Sequence, residues 1–266
     1  MKMINNTILI TGGSTGLGLS MAEELIEKSN TVIVCGRSNE KLDAAKLSLP
    51  TLITYQCDIS NEQSIDDLIA KVKENHPALN VLINNAGVMH LHDIVNDSLP
   101  LKLQEKEIMT NFYGVIALCN KLIPLLKNHE NAAILNITSG LAYMPFMASP
   151  IYAATKAAVH SYSQSIRQSL NKTSIEVYEA LPPMIDTEMS KHIEMPGMKK
   201  ISSKALSKII IKGMNNGKKE IRPGMSAMMI RMYKLFPWMV NTMMAKMSPK
   251  ILLNLPKYDE QVDLTK

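Results

Sequence analysis

Thr7-Ile8-Leu9-Ile10-Thr11-Gly12-Gly13-Ser14-Thr15-Gly16-Leu17-Gly18 is the stretch that decides the fold. Its first five residues are β-branched or apolar and read as a buried strand. Beyond the glycines, Leu19, Met21, Ala22, Leu25 and Ile26 form the apolar side of a helix, with Glu23, Glu24 and Glu27 outside. In a strand–loop–helix context, glycines signal a phosphate. They let the backbone turn tightly and approach a pyrophosphate at the helix N-terminus, where unpaired N–H groups favour an anion. The candidate contacts are Gly12, Ser14, Thr15, Gly16, Leu17 and Gly18.

Outward from this stretch, strands are expected at 31–35, 52–57, 79–83, 132–137 and 174–181, with a short last one at 218–222. Helical patterns separate them. One opens after Ser60, which is read as a cap with Gln63 at the capping-box position. Another carries Met109-Thr110-Asn111 early and reaches Leu126, and a third covers 151–170. The alternation predicts an α/β fold: a single Rossmann-type, doubly wound parallel sheet of about seven strands with helices on both faces. Residues 1–224 are assigned to it, with 183–200 as a substrate lid and 225–266 as a basic, methionine-rich helical extension of the same domain. In such sheets ligands lie beyond the strand C-termini, where Gly12–Gly18, Arg37, Asp58, Asn84 and Ser139 all fall. Arg37, with no carboxylate at the end of the second strand, favours a 2′-phosphate and hence NADP(H), with NAD(H) as the weaker option. Asp58 and Ile59 are placed to touch adenine, a plain turn being the competing account of Asp58.

Tyr152 and Lys156 lie one helical turn apart on one face. A phenol is a poor acid at neutral pH, and a neighbouring ammonium is expected to lower its pKa toward the range of a general acid/base. Ser139, at the end of the apolar run 132–137, can share a substrate oxygen with it. Asn111 is unfavourable inside a helix unless its side chain is used.

The chain has 266 residues, 46% hydrophobic and 20% charged, as expected of a globular protein. Three cysteines, Cys35, Cys57 and Cys119, lack metal-ligand spacing and are read as buried reduced thiols. His90-Leu91-His92 is read as loop, and no metal is expected. The start runs directly into the first strand, and no run approaches the roughly 18 apolar residues of a spanning helix. The expected location is the cytoplasm, or the inner face of the membrane if the tail binds there. Net charge is +5, but residues 189–258 carry fourteen Lys/Arg against Glu194 and Glu220. No nucleic-acid motif accompanies that charge.

With these motifs assembled, residues 5–225 resemble a short-chain dehydrogenase/reductase, and among these the bacterial DltE-type oxidoreductases. The resemblance rests on Thr11-Gly12-x-x-x-Gly16-x-Gly18, Asn84-Asn85-Ala86-Gly87, Asn111, Ser139 and Tyr152-x-x-x-Lys156. It implies NAD(P)-dependent hydride transfer between the cofactor and a carbonyl or alcohol, with NADPH-dependent reduction favoured. Tyr152 would exchange the proton, Lys156 would lower its pKa and bind the nicotinamide ribose, and Ser139 would position the substrate oxygen. Asn111 would hold a water-linked relay to Lys156. Asn85 would lie beside the adenosine ribose and Thr187 would bind the nicotinamide carboxamide, with Ala86, Gly87 and Pro182 as further cofactor contacts. Pro182-Pro183 stands where the family often has Pro-Gly, which removes an N–H. The family also implies a homodimer or homotetramer. The alternative to an enzyme is a nucleotide-sensing or scaffold protein, possible in a cell-envelope role; retention of Tyr152 and Lys156 weighs against it.

Residues 140–150 and 183–200, with Met144, Pro145, Phe146, Met147 and Met189, suggest an apolar small-molecule substrate. Met225, Met228, Met229, Met232, Leu235 and Phe236 form a helical stripe; Pro237 interrupts, and Met239, Val240, Met243, Met244 and Met247 continue it. A core or dimer face, a wall over an apolar substrate and an anionic membrane surface are all compatible with that pattern.

Overall fold

The computed structural model describes residues 1–96, 99–191, 193 and 199–252. Six strands alternate with helices through most of it: β1 (Thr7–Thr11), β2 (Thr31–Gly36), β3 (Ile53–Gln56), β4 (Leu79–Asn84), β5 (Ala132–Ile137) and β6 (Ile175–Ala180). β7 (Ile185–Asp186) and β8 (Ile201–Ser202) pair apart, and β9 (Glu220–Ile221) completes the main sheet. Its order is β3-β2-β1-β4-β5-β6-β9 and every pairing is parallel. Chain direction along the sheet reverses at β1, which opens a crevice beyond the ends of β1 and β4.

Because successive side chains on a strand point to opposite faces, β1 feeds two cores. Ile8 and Ile10 pack with Met21 and Leu25 of α1 (Gly16–Ile26), Leu42 of α2 (Asn39–Ser48) and Leu206, Ile210 and Met214 of α7 (Ser203–Asn215). Leu9 joins Ile65 and Leu68 of α3 (Glu62–Asn75), Leu118 and Leu122 of α5 (Gly114–Leu126) and Val159 of α6 (Pro150–Ser169). A third cluster joins Met144, Phe146 and Leu181 to Met229 and Ile230 of α8 (Met225–Leu235) and Val240 and Met244 of α9 (Pro237–Leu252). Cys35, Cys57 and Cys119 are free and buried.

Three local readings are corrected. The cap of α3 is Asn61, whose side chain accepts from the Ser64 N–H, while Ser60 donates to Asp58 instead. The helix reaching Leu126 begins at Leu101: α4 (Leu101–Ile108) passes through a π-helical turn, Met109–Tyr113, into α5. Asn111 therefore sits in the middle of this run. By length and composition this run, Leu101–Leu126, is long and apolar enough to cross a bilayer; in the fold, Leu118, Leu122 and Leu126 are buried in the core. Part of the segment expected to be a lid forms β7, β8 and the turn Glu188–Ser190. Residues 192 and 194–198 of that segment, and Lys257 and Tyr258 of the tail, lie outside the described residues.

Amides lock the strand ends together. Asn84 Nδ2 donates to Asn136 Oδ1 at 2.8 Å, and Asn136 Nδ2 donates to Ser163 Oγ at 2.8 Å, tying β4 to β5 and β5 to α6. All three residues are buried, so losing one member strands polar partners away from water. Asn136→Ala is expected to lower the unfolding free energy by about 1–3 kcal/mol, read by urea denaturation. Unchanged stability would show that the network is dispensable.

Candidate active site

The strand ends surround a cavity of about 420 Å³. Gly12, Ser14, Thr15, Gly16, Leu17, Arg37, Asp58, Ile59, Asn85, Ala86, Gly87, Ser139, Tyr152, Lys156, Pro182 and Thr187 all line it. Two expected residues, Gly18 and Asn111, stand behind the wall. A Cβ on Gly18 would lie 2.3 Å from the Gly12 carbonyl oxygen and 2.6 Å from Asn85 Nδ2, so this glycine serves close packing of α1 on the loop. Thr15, at the N-cap of α1, makes no side-chain cap bond. The first-turn N–H groups thus meet the cavity without a side-chain cap, the condition a pyrophosphate requires.

Asn85 does less toward a ligand than its position suggests. Its Nδ2 donates to the Thr11 and Gly12 carbonyls at 2.9 and 3.0 Å, and its N–H donates to Thr11 Oγ1. The side chain thereby braces the glycine loop. Asp58 Oδ1 likewise accepts from the Ser60 N–H and hydroxyl at 2.9 and 2.7 Å, making a turn at the cavity edge.

Around Arg37 the structure adds groups that the sequence reading missed. Ser38 and Lys41 also line the cavity, and Ser38 caps α2 by accepting from the Lys41 N–H. Lys106, from α4, lies in the field of Arg37 and Asp58; burial and the Arg37 charge both lower its pKa. Nothing in the spacing of residues 37, 41 and 106 signals that Arg37 and Lys41 line one end of the cavity with Lys106 in the field of Arg37 behind it.

The Tyr152 end is built from α6 and the end of β5. Lys156 Nζ donates to the Ile137 carbonyl at 2.9 Å and lies 5.5 Å from the Tyr152 ring centroid. Ser139 heads a 3₁₀ turn, accepts from the Leu141 N–H at 3.1 Å and hydrogen-bonds to the Tyr152 phenol. A Cβ on Gly87 would sit 3.3 Å from Asn111 Oδ1 and 3.5 Å from Lys156 Nζ, so a side chain there would press on Asn111 and touch the ammonium.

The expected lowering of the Tyr152 pKa is not met in this arrangement. Burial pushes the phenol above its ordinary range, the Glu107 charge adds to this, and the Ser139 hydrogen bond only partly opposes it. The ammonium faces Ile137 rather than the phenol oxygen. Burial also draws the Lys156 amine down to about 8, against the pull of Glu107 and Glu179. Asn111 is fully buried and accepts from the Val88 N–H at 2.8 Å while donating to the Val88 carbonyl and to Thr155 Oγ1. It fixes the loop after β4 against the π-helical turn.

Glu107 is the residue that the sequence reading passed over altogether. It is fully buried, and His90 Nδ1 lies 3.1 Å from its Oε2. The His90 carbonyl accepts from Ser149 Oγ at 2.8 Å, and the His92 N–H donates to the Ala148 carbonyl. The loop read from His90-Leu91-His92 is therefore a strap, gripped by α4 on one side and by the entry to α6 on the other.

A doubly wound parallel sheet whose glycine loop, cations and Tyr–Lys helix share one cavity defines a nucleotide-binding oxidoreductase. The chain belongs to the short-chain dehydrogenase family: the family model described as short chain dehydrogenase matches residues 6–196. It is 42% identical over 224 residues to the protein named "Uncharacterized oxidoreductase DltE" of Bacillus subtilis (strain 168), covering 83% of this chain and 89% of that one. A short-chain dehydrogenase of Sphingobium yanoikuyae, solved in complex with NADPH, superposes with TM-score 0.74 at 25% identity, over 81% of this chain and 87% of that one. One from Burkholderia cenocepacia J2315, solved with NADP, gives TM-score 0.81 at 23% identity, over 92% and 99% of the two chains. Another from Burkholderia phymatum, solved with NAD, gives 0.78 at 16% identity, over 90% and 96%.

Glu107 raises the Lys156 pKa, so neutralising it should let the ammonium lose its proton at lower pH. Lysine-selective NMR, assigned with Lys156→Arg, is expected to place the Lys156 midpoint near pH 8, and lower in Glu107→Gln. An unchanged midpoint would remove Glu107 from the electrostatics of the site.

Proposed function

We propose that the protein transfers hydride between a nicotinamide dinucleotide and a carbonyl or alcohol, working as an NADPH-dependent reductase of small apolar carbonyl compounds. The observation that carries this reading is that Ser139, Tyr152 and Lys156 line the same cavity as the glycine loop. The first turn of α1 would take the pyrophosphate, Arg37 with Ser14 and Lys41 the 2′-phosphate, and Thr187 with Pro182 the carboxamide end. Bound NADPH would supply the hydride to the carbonyl carbon.

The chain's own groups manage the proton. A phenol kept protonated by burial is a competent donor in the reductive direction, because it holds its proton until negative charge develops on the substrate oxygen. Ser139 donates to that same oxygen and orients it. Lys156, charged below about pH 8 and 5.5 Å from the Tyr152 ring centroid, would stabilise the phenolate left there on turning from the Ile137 carbonyl toward it. Asn111 and Glu107 keep the strap in place and touch neither partner. The substrate side is apolar: Met89, Leu141, Met144, Phe146, Met184 and Met229 line the cavity there. Methionines adapt to irregular apolar shapes, which favours a hydrocarbon-bearing aldehyde or ketone over a charged sugar or acid.

NADP(H) preference follows from charge. NADPH carries a 2′-phosphate that NADH lacks, and Arg37 and Lys41 line the cavity where it would lie. A charge-assisted contact is worth about 1.5–3 kcal/mol. Arg37→Ala should therefore raise the KM for NADPH by roughly tenfold to a hundredfold and leave that for NADH nearly unchanged. Equal losses with both cofactors would assign Arg37 to the loop and not to the phosphate.

With apolar aldehydes as substrates, Tyr152→Phe should reduce kcat by about 10²–10⁴-fold while NADPH affinity, followed by its fluorescence, stays within about threefold. Equal turnover in the two proteins would end the assignment of Tyr152 as the proton donor and leave a nucleotide-binding protein without this chemistry.

A further inference from the structure

Helices α8 and α9 divide their residues cleanly between two environments. On α9, Val240, Met244 and Ser248 are buried, while Trp238, Thr242 and Lys246, offset from them by half a turn, are exposed. On α8, Met229 and Ile230 are buried, and Met228, Arg231, Lys234 and Leu235 face outward. The corner between the helices, Leu235-Phe236-Pro237-Trp238, is open to solvent, with Leu235 at 65%, Phe236 at 50% and Trp238 at 70% exposure. Adjacent exposed large apolar side chains of this kind mark an interaction site.

Charge decides what the site meets. No carboxylate occurs in the sequence from Arg222 through Lys257. Among the described residues, Arg231 and Lys246 make no ion pair, and Lys234 rests only against the Tyr143 ring, its Nζ 4.8 Å from the centroid. A two-fold contact with a second copy would bring the same basic face against itself. An anionic, apolar surface meets both requirements: tryptophan and phenylalanine suit the bilayer interface, and lysine and arginine the lipid phosphates around it.

We propose that the α8–α9 corner seats the protein on an anionic lipid bilayer, with Phe236 and Trp238 inserted at the interface and Arg231, Lys234 and Lys246 over the headgroups. The proposal stands apart from hydride transfer and needs no turnover. It carries a consequence for the cavity, because Met225, Met229 and Met244 of the same helices line it. Seating the corner would hold the apolar lining beside the membrane, the reservoir of apolar carbonyl compounds.

Trp238 is the one tryptophan in the chain, so its emission reads this surface with no label and no substitution. The full chain is mixed with vesicles of phosphatidylglycerol and phosphatidylcholine, or of phosphatidylcholine alone. The expected result is a blue shift and quenching by brominated lipid with the anionic vesicles only, reversed at about 0.5 M salt, where screening is short-ranged. The double variant Arg231→Glu/Lys246→Glu, folded by circular dichroism, should bind at least tenfold more weakly. No shift with anionic vesicles at low salt would overturn the proposal, as would an equal shift with phosphatidylcholine. A blue shift that grows with protein concentration without lipid would overturn it in favour of a second copy on this face.

Discussion

One hydrogen bond sets the geometry of the site: the Lys156 ammonium donates to the Ile137 carbonyl across 2.9 Å. It anchors α6 to the last residue of β5 and so places Tyr152, one turn earlier, beside Ser139, two residues later. The bond is made by a buried charge, and burial alone would drive that charge off. Glu107 and Glu179 hold it in place from opposite sides of the helix's environment: one on α4, paired with His90, and one on β6, where it accepts from Thr138 and faces His160. The Tyr–Lys pair is thus supported by carboxylates that make no salt bridge with it.

The same economy appears in the amides. Asn84, Asn85 and Asn111 look like ligand groups in a linear reading, and their amide N–H groups donate to the protein, as does that of Asn136. Buried amides generally find partners, and here the partners of their N–H groups are the glycine loop, the strap after β4 and the neighbouring strand and helix, while Asn84 Oδ1 is buried with none among the described residues. What they provide is rigidity in the walls of the cavity. The groups that face into the cavity are backbone of the loop, the cations near Arg37, and the hydroxyls of Ser139 and Tyr152.

The sheet could be read from the chain because each strand is an apolar run followed by a break, and the sheet's periodicity is local. The glycine loop, Arg37, Ser139 and Tyr152 could be read for the same reason: each sits at a strand end or in a helix register that neighbours in sequence define. Glu107, His90, Lys41 and Lys106 could not. Their roles depend on how α4 and the strap fold back over α6 and α2, and no spacing encodes that approach. The π-helical turn at Met109–Tyr113 hides in the same way, since apolar side chains occur both before and after it and a shifted stripe does not stand out among them. The sign of the Tyr152 shift is hidden for a related cause: a pair at i and i+4 shares a face, yet the ammonium turns to Ile137 and desolvation prevails.

The account rests on Tyr152 and Ser139 addressing one substrate oxygen above the bound dinucleotide. A crystal structure with NADP⁺ and a hydrocarbon-bearing alcohol tests this most directly. The account predicts the alcohol oxygen within hydrogen-bond distance of both hydroxyls and its hydrocarbon among Met144, Phe146 and Met229. An alcohol bound with its oxygen away from Tyr152, while the dinucleotide occupies the glycine loop, would contradict it.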